Sequence, residues 1–146
     1  MCNLGVDIAQ GGKDDTTLSA RYDGWFAPLI VTPGKATPTG REVAALILVH
    51  RKNGCPITID MGGGYGGSTY ELLRETNATV HAHKGSEGSS ARTCDGTFGF
   101  YNKRSEAIWR FREALDPTQQ GGSCICLPDD NRLISDLAAP TYEITT

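Results

Sequence analysis

Two carboxylates stand in apolar surroundings where a charge needs compensation. Asp7 lies within Leu4-Gly5-Val6-Asp7-Ile8, and Asp60 ends Pro56-Ile57-Thr58-Ile59-Asp60. Each is followed by a glycine-bearing turn, Gly11-Gly12 after the first and Gly62-Gly63-Gly64-Tyr65-Gly66-Gly67 after the second. A buried carboxylate is costly unless a metal ion or hydrogen-bond donors satisfy it. Aspartate-only oxygen sites suit magnesium or manganese. A pair of such ions can activate water and stabilise the leaving oxygen of a phosphodiester. Taken singly, each aspartate also reads as a strand-end residue satisfied by backbone donors; the repetition of the pattern favours the metal reading.

Other residues weigh less. Asp14 and Asp15 read as solvated turn residues, with Asp15 a lesser candidate for the metal site. Gly62-x-Gly64-x-x-Gly67 matches a dinucleotide fingerprint as a pattern. Asp60, however, stands where a pyrophosphate would approach, and the next strand offers no acidic partner for a ribose. Gly12-Lys13 is no phosphate loop, since Asp7 occupies the position of its first glycine. His81 and His83 share one face of a strand edge and read as structural. Lys84, Arg92, Lys103 and Arg104, with Phe98, Phe100 and Tyr101 interleaved, form a basic and aromatic set suited to a nucleic-acid backbone; an ordinary solvated loop is the competing reading.

The elements that must position these residues follow from local signals. The strand at 4–8 is followed by strands at 17–22 and 25–31 around Asp23-Gly24, a two-residue hairpin signal, so the chain opens as a three-stranded antiparallel meander. Residues 32–38 form a crossing loop. Thr39-Gly40-Arg41-Glu42 is a capping box opening a helix through Val43, Leu46, Ile47 and His50, stopped at Asn53-Gly54. A strand at 56–60, a helix opened by a second capping box at Ser68-Thr69-Tyr70-Glu71, and a strand at 78–82 make a parallel unit with a right-handed crossover. Residues 83–101 are a long loop excursion without periodicity, of the kind that is often functional. A helix at 103–115, a short strand at 123–127 and a helical segment at 129–137 complete the chain. This order predicts an α/β ribonuclease-H-like fold: a mixed central sheet, three antiparallel strands followed by parallel ones, flanked by helices. In that topology Asp7 and Asp60 project from neighbouring strands.

With 146 residues the chain is predicted to be one domain, 1–146, that buries a core without staples. The net charge of -3 excludes a strongly basic nucleic-acid binder but not an acidic site whose metal ions meet phosphates. Five scattered cysteines suit a reducing compartment rather than a disulfide framework, and Cys124-x-Cys126 lacks the second pair of a zinc site. No apolar run approaches a membrane span, and no signal peptide is visible.

Together these residues resemble the nuclease domain of bacteriophage large terminase subunits. The likeness rests on Gly5-Val6-Asp7-Ile8-Ala9 with Gly11-Gly12-x-Asp14-Asp15-Thr16, and on Ile59-Asp60 with its glycine run. It continues in Tyr101-Asn102-Lys103-Arg104-Ser105-Glu106 and in Leu127-Pro128-x-x-x-x-Leu133-x-x-Asp136-Leu137 with Tyr142. The resemblance implies a domain that cuts concatemeric viral DNA with two divalent ions, Mg2+ or Mn2+, in the cytoplasm of the infected bacterial host. It implies Asp7 and Asp60 as the first two catalytic carboxylates. Implied partners are double-stranded DNA, the terminase ATPase domain, the small terminase subunit and the portal, with no membrane. These residues hold no nucleotide phosphate loop. The family's third aspartate lies in a Ser-Pro-Asp-like segment beyond the Tyr142 region, whereas the sequence stops at Thr146 and Asp129, Asp130 and Asp136 match the preceding segment. A truncated domain with weak or absent cleavage is therefore expected. The alternatives are a junction-resolvase type of ribonuclease-H-like nuclease, a non-catalytic DNA-binding or docking module, and an actin-like or sugar-kinase-like nucleotide binder.

Overall fold

A computed structural model describes residues 1–144. The order of its main elements is β1 (Asn3–Asp7), β2 (Asp15–Tyr22), β3 (Trp25–Phe26), β4 (Ile30–Pro33), α1 (Gly40–His50), β5 (Ile57–Asp60), α2 (Gly67–Glu75), β6 (Val80–His83), α3 (Lys103–Leu115) and α4 (Asn131–Ala138). The six strands form one sheet in the order β3-β2-β1-β5-β6, with β4 also pairing β2. β1 runs antiparallel to β2 and parallel to β5, and β5 runs parallel to β6. The expected mixed sheet is therefore present, antiparallel on one side of β1 and parallel on the other.

The alternation along each strand decides which face packs. Leu4, Val6, Leu18, Ala20, Ile57 and Ile59 are buried on one face, where Val43, Ala44 and Ile47 of α1 and Leu73 of α2 meet them. The opposite face carries Asn3, Gly5, Thr17, Ser19, Thr58 and Asp60, all half-buried, and Asn3 donates to Thr58 at 3.2 Å. No residue of α3 or α4 is buried. The core is thus one-sided.

The α1 capping box forms as expected: the Thr39 hydroxyl accepts from Arg41 N at 3.2 Å and Glu42 accepts from Thr39 N at 3.1 Å. Three expectations need correction. The strand predicted at 25–31 is two pieces. The pairs Arg21↔Phe26 and Leu18↔Ile30 differ in register by one residue, the mark of a bulge, and Pro28 between them has no N–H to donate. The predicted second capping box does not form, because α2 begins at Gly67 with no side-chain cap. Ser68 and Thr69 instead pack against Gly40 of α1, where an added Cβ would collide with the Ser68 hydroxyl and lie 2.8 Å from Thr69 N. The strand predicted at 123–127 reduces to a single bridge between Trp25 and Cys126, since β3 is only two residues long.

The excursion at 83–101 is clipped to α3. Cys94 N donates to Glu113 at 3.0 Å, Arg110 Nη2 to the Arg92 carbonyl at 2.6 Å, and Ser89 Oγ to Glu106 at 2.6 Å. Its tip closes as a tight turn in which Asp95 accepts from Thr97 N at 3.0 Å.

Candidate functional site

Asp7 and Asp60 end β1 and β5, and the parallel register Val6↔Ile59 sets them side by side at the carboxyl edge of the sheet. Their strands are extended by buried aliphatic residues on alternate positions, so both carboxylates fall on the polar face, at the point where each chain turns away. Crevices outside the carboxyl ends of parallel strands are where α/β sheets bind ligands.

The electrostatics of the pair are those of concentrated negative charge. The Asp7 carboxyl is raised above its ordinary 3.8, first because the packed strand end strips it of water, then because Asp60 faces it, with Asp14 adding to the effect. The Ile8 amide and, more weakly, Arg104 pull the other way. The tip of Asp7 reaches solvent, so the two oxygens stay open to an incoming ligand. Asp60 Oδ1 accepts from Gly62 N at 2.9 Å, which fixes that carboxylate against the glycine turn.

Of the two turn aspartates, Asp14 is the one whose charge reaches Asp7. Asp15 instead pairs with Arg132 of α4 at 3.9 Å, an exposed contact of small energetic weight. His83 stands in register with Asp60, and His81 with Thr58, on the outer strand β6. The four basic residues separate. Arg92 donates to the carbonyls of Gly96 and Thr97 at 2.8 and 3.2 Å and holds its own turn together. Lys103 pairs with Glu106 at 3.0 Å. Lys84 and Arg104 line a cleft of about 490 Å³ next to Asp60, together with Met61, Gly62, Gly63, Gly85, Ser86 and Asn102. Asn102 and the glycine floor of this cleft were not singled out by residue type, although both belong to recognisable segments, the helix entry at 101–106 and the run at 62–67.

A divalent ion fits this donor set. Magnesium characteristically takes one or two carboxylates and keeps several waters, and the Asp7 carboxyl, strained by its neighbour's charge, is the kind of group a cation relieves. Among the described residues no group of three or more His, Cys, Asp or Glu side chains is gathered as a metal cage, so an ion here would draw on few side-chain ligands and keep several waters.

No family model and no curated protein matches the sequence. Solved structures do. The chain is similar to a mutant gp2c of the large terminase subunit from bacteriophage Sf6 with calcium, at TM-score 0.56 and 17% identity over 75% of this chain and 51% of that one. It is also similar to a mutant nuclease domain of the large terminase subunit gp2 of bacterial virus Sf6 with manganese and beta-thujaplicinol, at TM-score 0.53 and 20% identity over 77% of this chain and 51% of that one. The chain spans about half the length of these structures. At such identity the likeness is one of architecture: this protein has the ribonuclease-H-like fold of terminase nuclease domains.

Proposed function

We propose that the protein is a metal-dependent DNA endonuclease domain of the phage terminase type, cutting concatemeric viral DNA in the cytoplasm of an infected bacterium. The observation that carries this reading is the juxtaposition of Asp7 and Asp60 on adjacent parallel strands, with the Asp7 carboxyl raised by burial and by its neighbour. The manganese and calcium of the similar Sf6 structures agree with a divalent cation here. Asp7 and Asp60 would hold Mg2+ or Mn2+, which supplies Lewis-acid polarisation of the phosphodiester and a nucleophilic water at neutral pH. Asp60, fixed by Gly62 N, orients its oxygens toward the cleft; Asp7 supplies the more exposed carboxylate. Lys84 and Arg104 place positive charge where a strand of double-stranded DNA would lie, while Arg92 and Lys103 support the loop and helix that carry them. A terminase ATPase domain, a small terminase subunit and a portal are the partners this reading entails.

Nicking of supercoiled plasmid in manganese tests it. The protein should nick, and Asp7→Asn should lower the rate at least about a hundredfold, the scale at which loss of a principal electrostatic group is felt. Equal nicking by both proteins would place the activity elsewhere. A non-catalytic DNA-binding module is the second reading, favoured by a donor set of few side chains among the described residues. It expects DNA binding that survives Asp7→Asn and no manganese-dependent nicking by either protein.

A further inference from the structure

The cleft beside Asp60 has a glycine floor. Its polar side chains are Lys84, Ser86, Asn102 and Arg104, and no carboxylate lines it. Three observations single out Arg104. Its guanidinium has no ion pair or hydrogen bond among the described residues, whereas Lys84, Lys103, Arg92 and Arg110 nearby are all engaged within the protein, Lys84 through an exposed pair with Glu87 at 3.5 Å. Its position is fixed nonetheless: Arg104 N donates to the Gly85 carbonyl at 2.9 Å, and its stem lies so close over Gly85 that an added Cβ there would sit 3.2 Å from both Cβ and Nε. Finally, the guanidinium and Asp60 flank the same spot. A Cβ on Gly62 would lie 3.5 Å from Arg104 Nη2 and 3.3 Å from Asp60 Oδ1. Two glycines, Gly62 and Gly85, thus keep open the space on which one unpaired arginine bears.

A second donor supports the same geometry. Asn102 caps α3 with its Oδ1, accepting from Ser105 N at 2.9 Å, which leaves its amide NH2 without a partner among the described residues. A guanidinium and an amide facing a glycine floor recognise tetrahedral oxyanions through charge-assisted hydrogen bonds.

We infer that Arg104, with Asn102 and Lys84 beside it, forms a phosphate subsite distinct from the carboxylate pair, holding a backbone phosphate of the DNA strand next to the one positioned at Asp7 and Asp60. The inference rests on the nuclease reading for its substrate but not for its chemistry, since the subsite needs no metal. Arg104 is a binding residue here. Its positive charge also sits near the carboxylates, so removing it should affect the two ligands in opposite senses.

The test is binding of a fluorescent 16-base-pair duplex, with and without a 5′-phosphate, in EDTA over a series of salt concentrations, alongside manganese-induced thermal stabilisation. Arg104→Ala should weaken duplex binding about tenfold, the scale of one lost charge-assisted hydrogen bond, and should lower the salt slope by about one. Arg104→Lys should recover the salt slope but only part of the affinity. Manganese should stabilise Arg104→Ala at least as strongly as the unmutated protein. An equal loss on both duplexes assigns the subsite to an internal phosphodiester; a loss confined to the phosphorylated duplex assigns it to a strand end. Unchanged affinity and slope in Arg104→Ala would overturn the inference, as would failure of the unmutated protein to bind either duplex. Loss of the manganese response in Arg104→Ala would also overturn it, by showing that the residue merely shapes the carboxylates. Failure of the nuclease reading shows separately, as absence of manganese stabilisation in the unmutated protein.

Discussion

Asp7 works against the stability of the strand it ends. Burial first, then the Asp60 charge, raises its carboxyl above 3.8, so the folded chain holds that proton more readily than the unfolded one. The sign follows from linkage: the contribution is fully present below the unfolded value and is lost as pH rises through the folded one, leaving a net burden at neutral pH. Asp7→Asn is therefore expected to raise the melting temperature at pH 7 in EDTA. The gain should shrink as pH falls toward about 3.8 and the manganese response should disappear. A melting temperature lowered by the substitution at pH 7 would instead mark Asp7 as a structural carboxylate whose hydrogen bonds the fold requires. Stability given up at a charged cluster is typical of residues kept for chemistry.

Among the elements, the tip of the excursion between β6 and α3 is gathered by one glutamate, beside the Ser89–Glu106 and Arg110–Arg92 contacts. Glu113 accepts from Cys94 N and the Cys94 thiol at 3.0 Å each, from Trp109 Nε1 at 2.9 Å and from Arg110 Nη1 at 3.0 Å. Burial pushes its carboxyl up, but these donors outweigh it and hold the group at about 2, below its ordinary 4.5. A depressed acid stabilises above its unfolded value and loses that contribution as pH falls through the folded one, so the clip should release between pH 4.5 and about 2. Amide-exchange protection of Cys94, corrected for the intrinsic rate, should fall across that window, and Glu113→Ala should lack it already at pH 7. Full protection in Glu113→Ala would mean that the Thr93–Asp95–Thr97 turn and the Arg110–Arg92 contact hold the loop without Glu113. Releasing the clip leaves Arg104 in place, because its anchor is Gly85 rather than Glu113.

At the scale of the whole molecule, stability is concentrated on one side of the sheet. Leu4, Leu18, Ile47, Ile57, Ile59 and Leu73 are fully enclosed between the strands and α1 and α2, whereas Ile108, Ile134 and Leu137 on α3 and α4 remain exposed. Ile47→Ala should cost about 2–5 kcal/mol in chemical denaturation, and Ile108→Ala no more than about 0.5 kcal/mol. Amide exchange should be slowest in β1, β2, β5 and α1 and faster in α3 and α4; comparable protection throughout would contradict a one-sided core. Sequence alone determined what depends on neighbours a few residues apart: the α1 capping box at Thr39 and Glu42, the first apolar strand around Leu4 and Val6, the helix at 103–115, and the two aspartates that end apolar strands. It misread α2, because the Ser68 and Thr69 pattern suits a cap equally well as a close helix contact, and only Gly40 on a distant helix decides between them. The broken strand at 25–31 likewise depended on a one-residue register slip against β2. The element order already implied that Asp7 and Asp60 end neighbouring strands; tertiary structure alone put Asp14 rather than Asp15 within reach of that charge and brought Arg104 across Gly62 from Asp60. Capping and periodicity are local interactions that a linear string records, whereas strand register and the approach of backbones at glycines join residues tens of positions apart and exist only once the chain has closed.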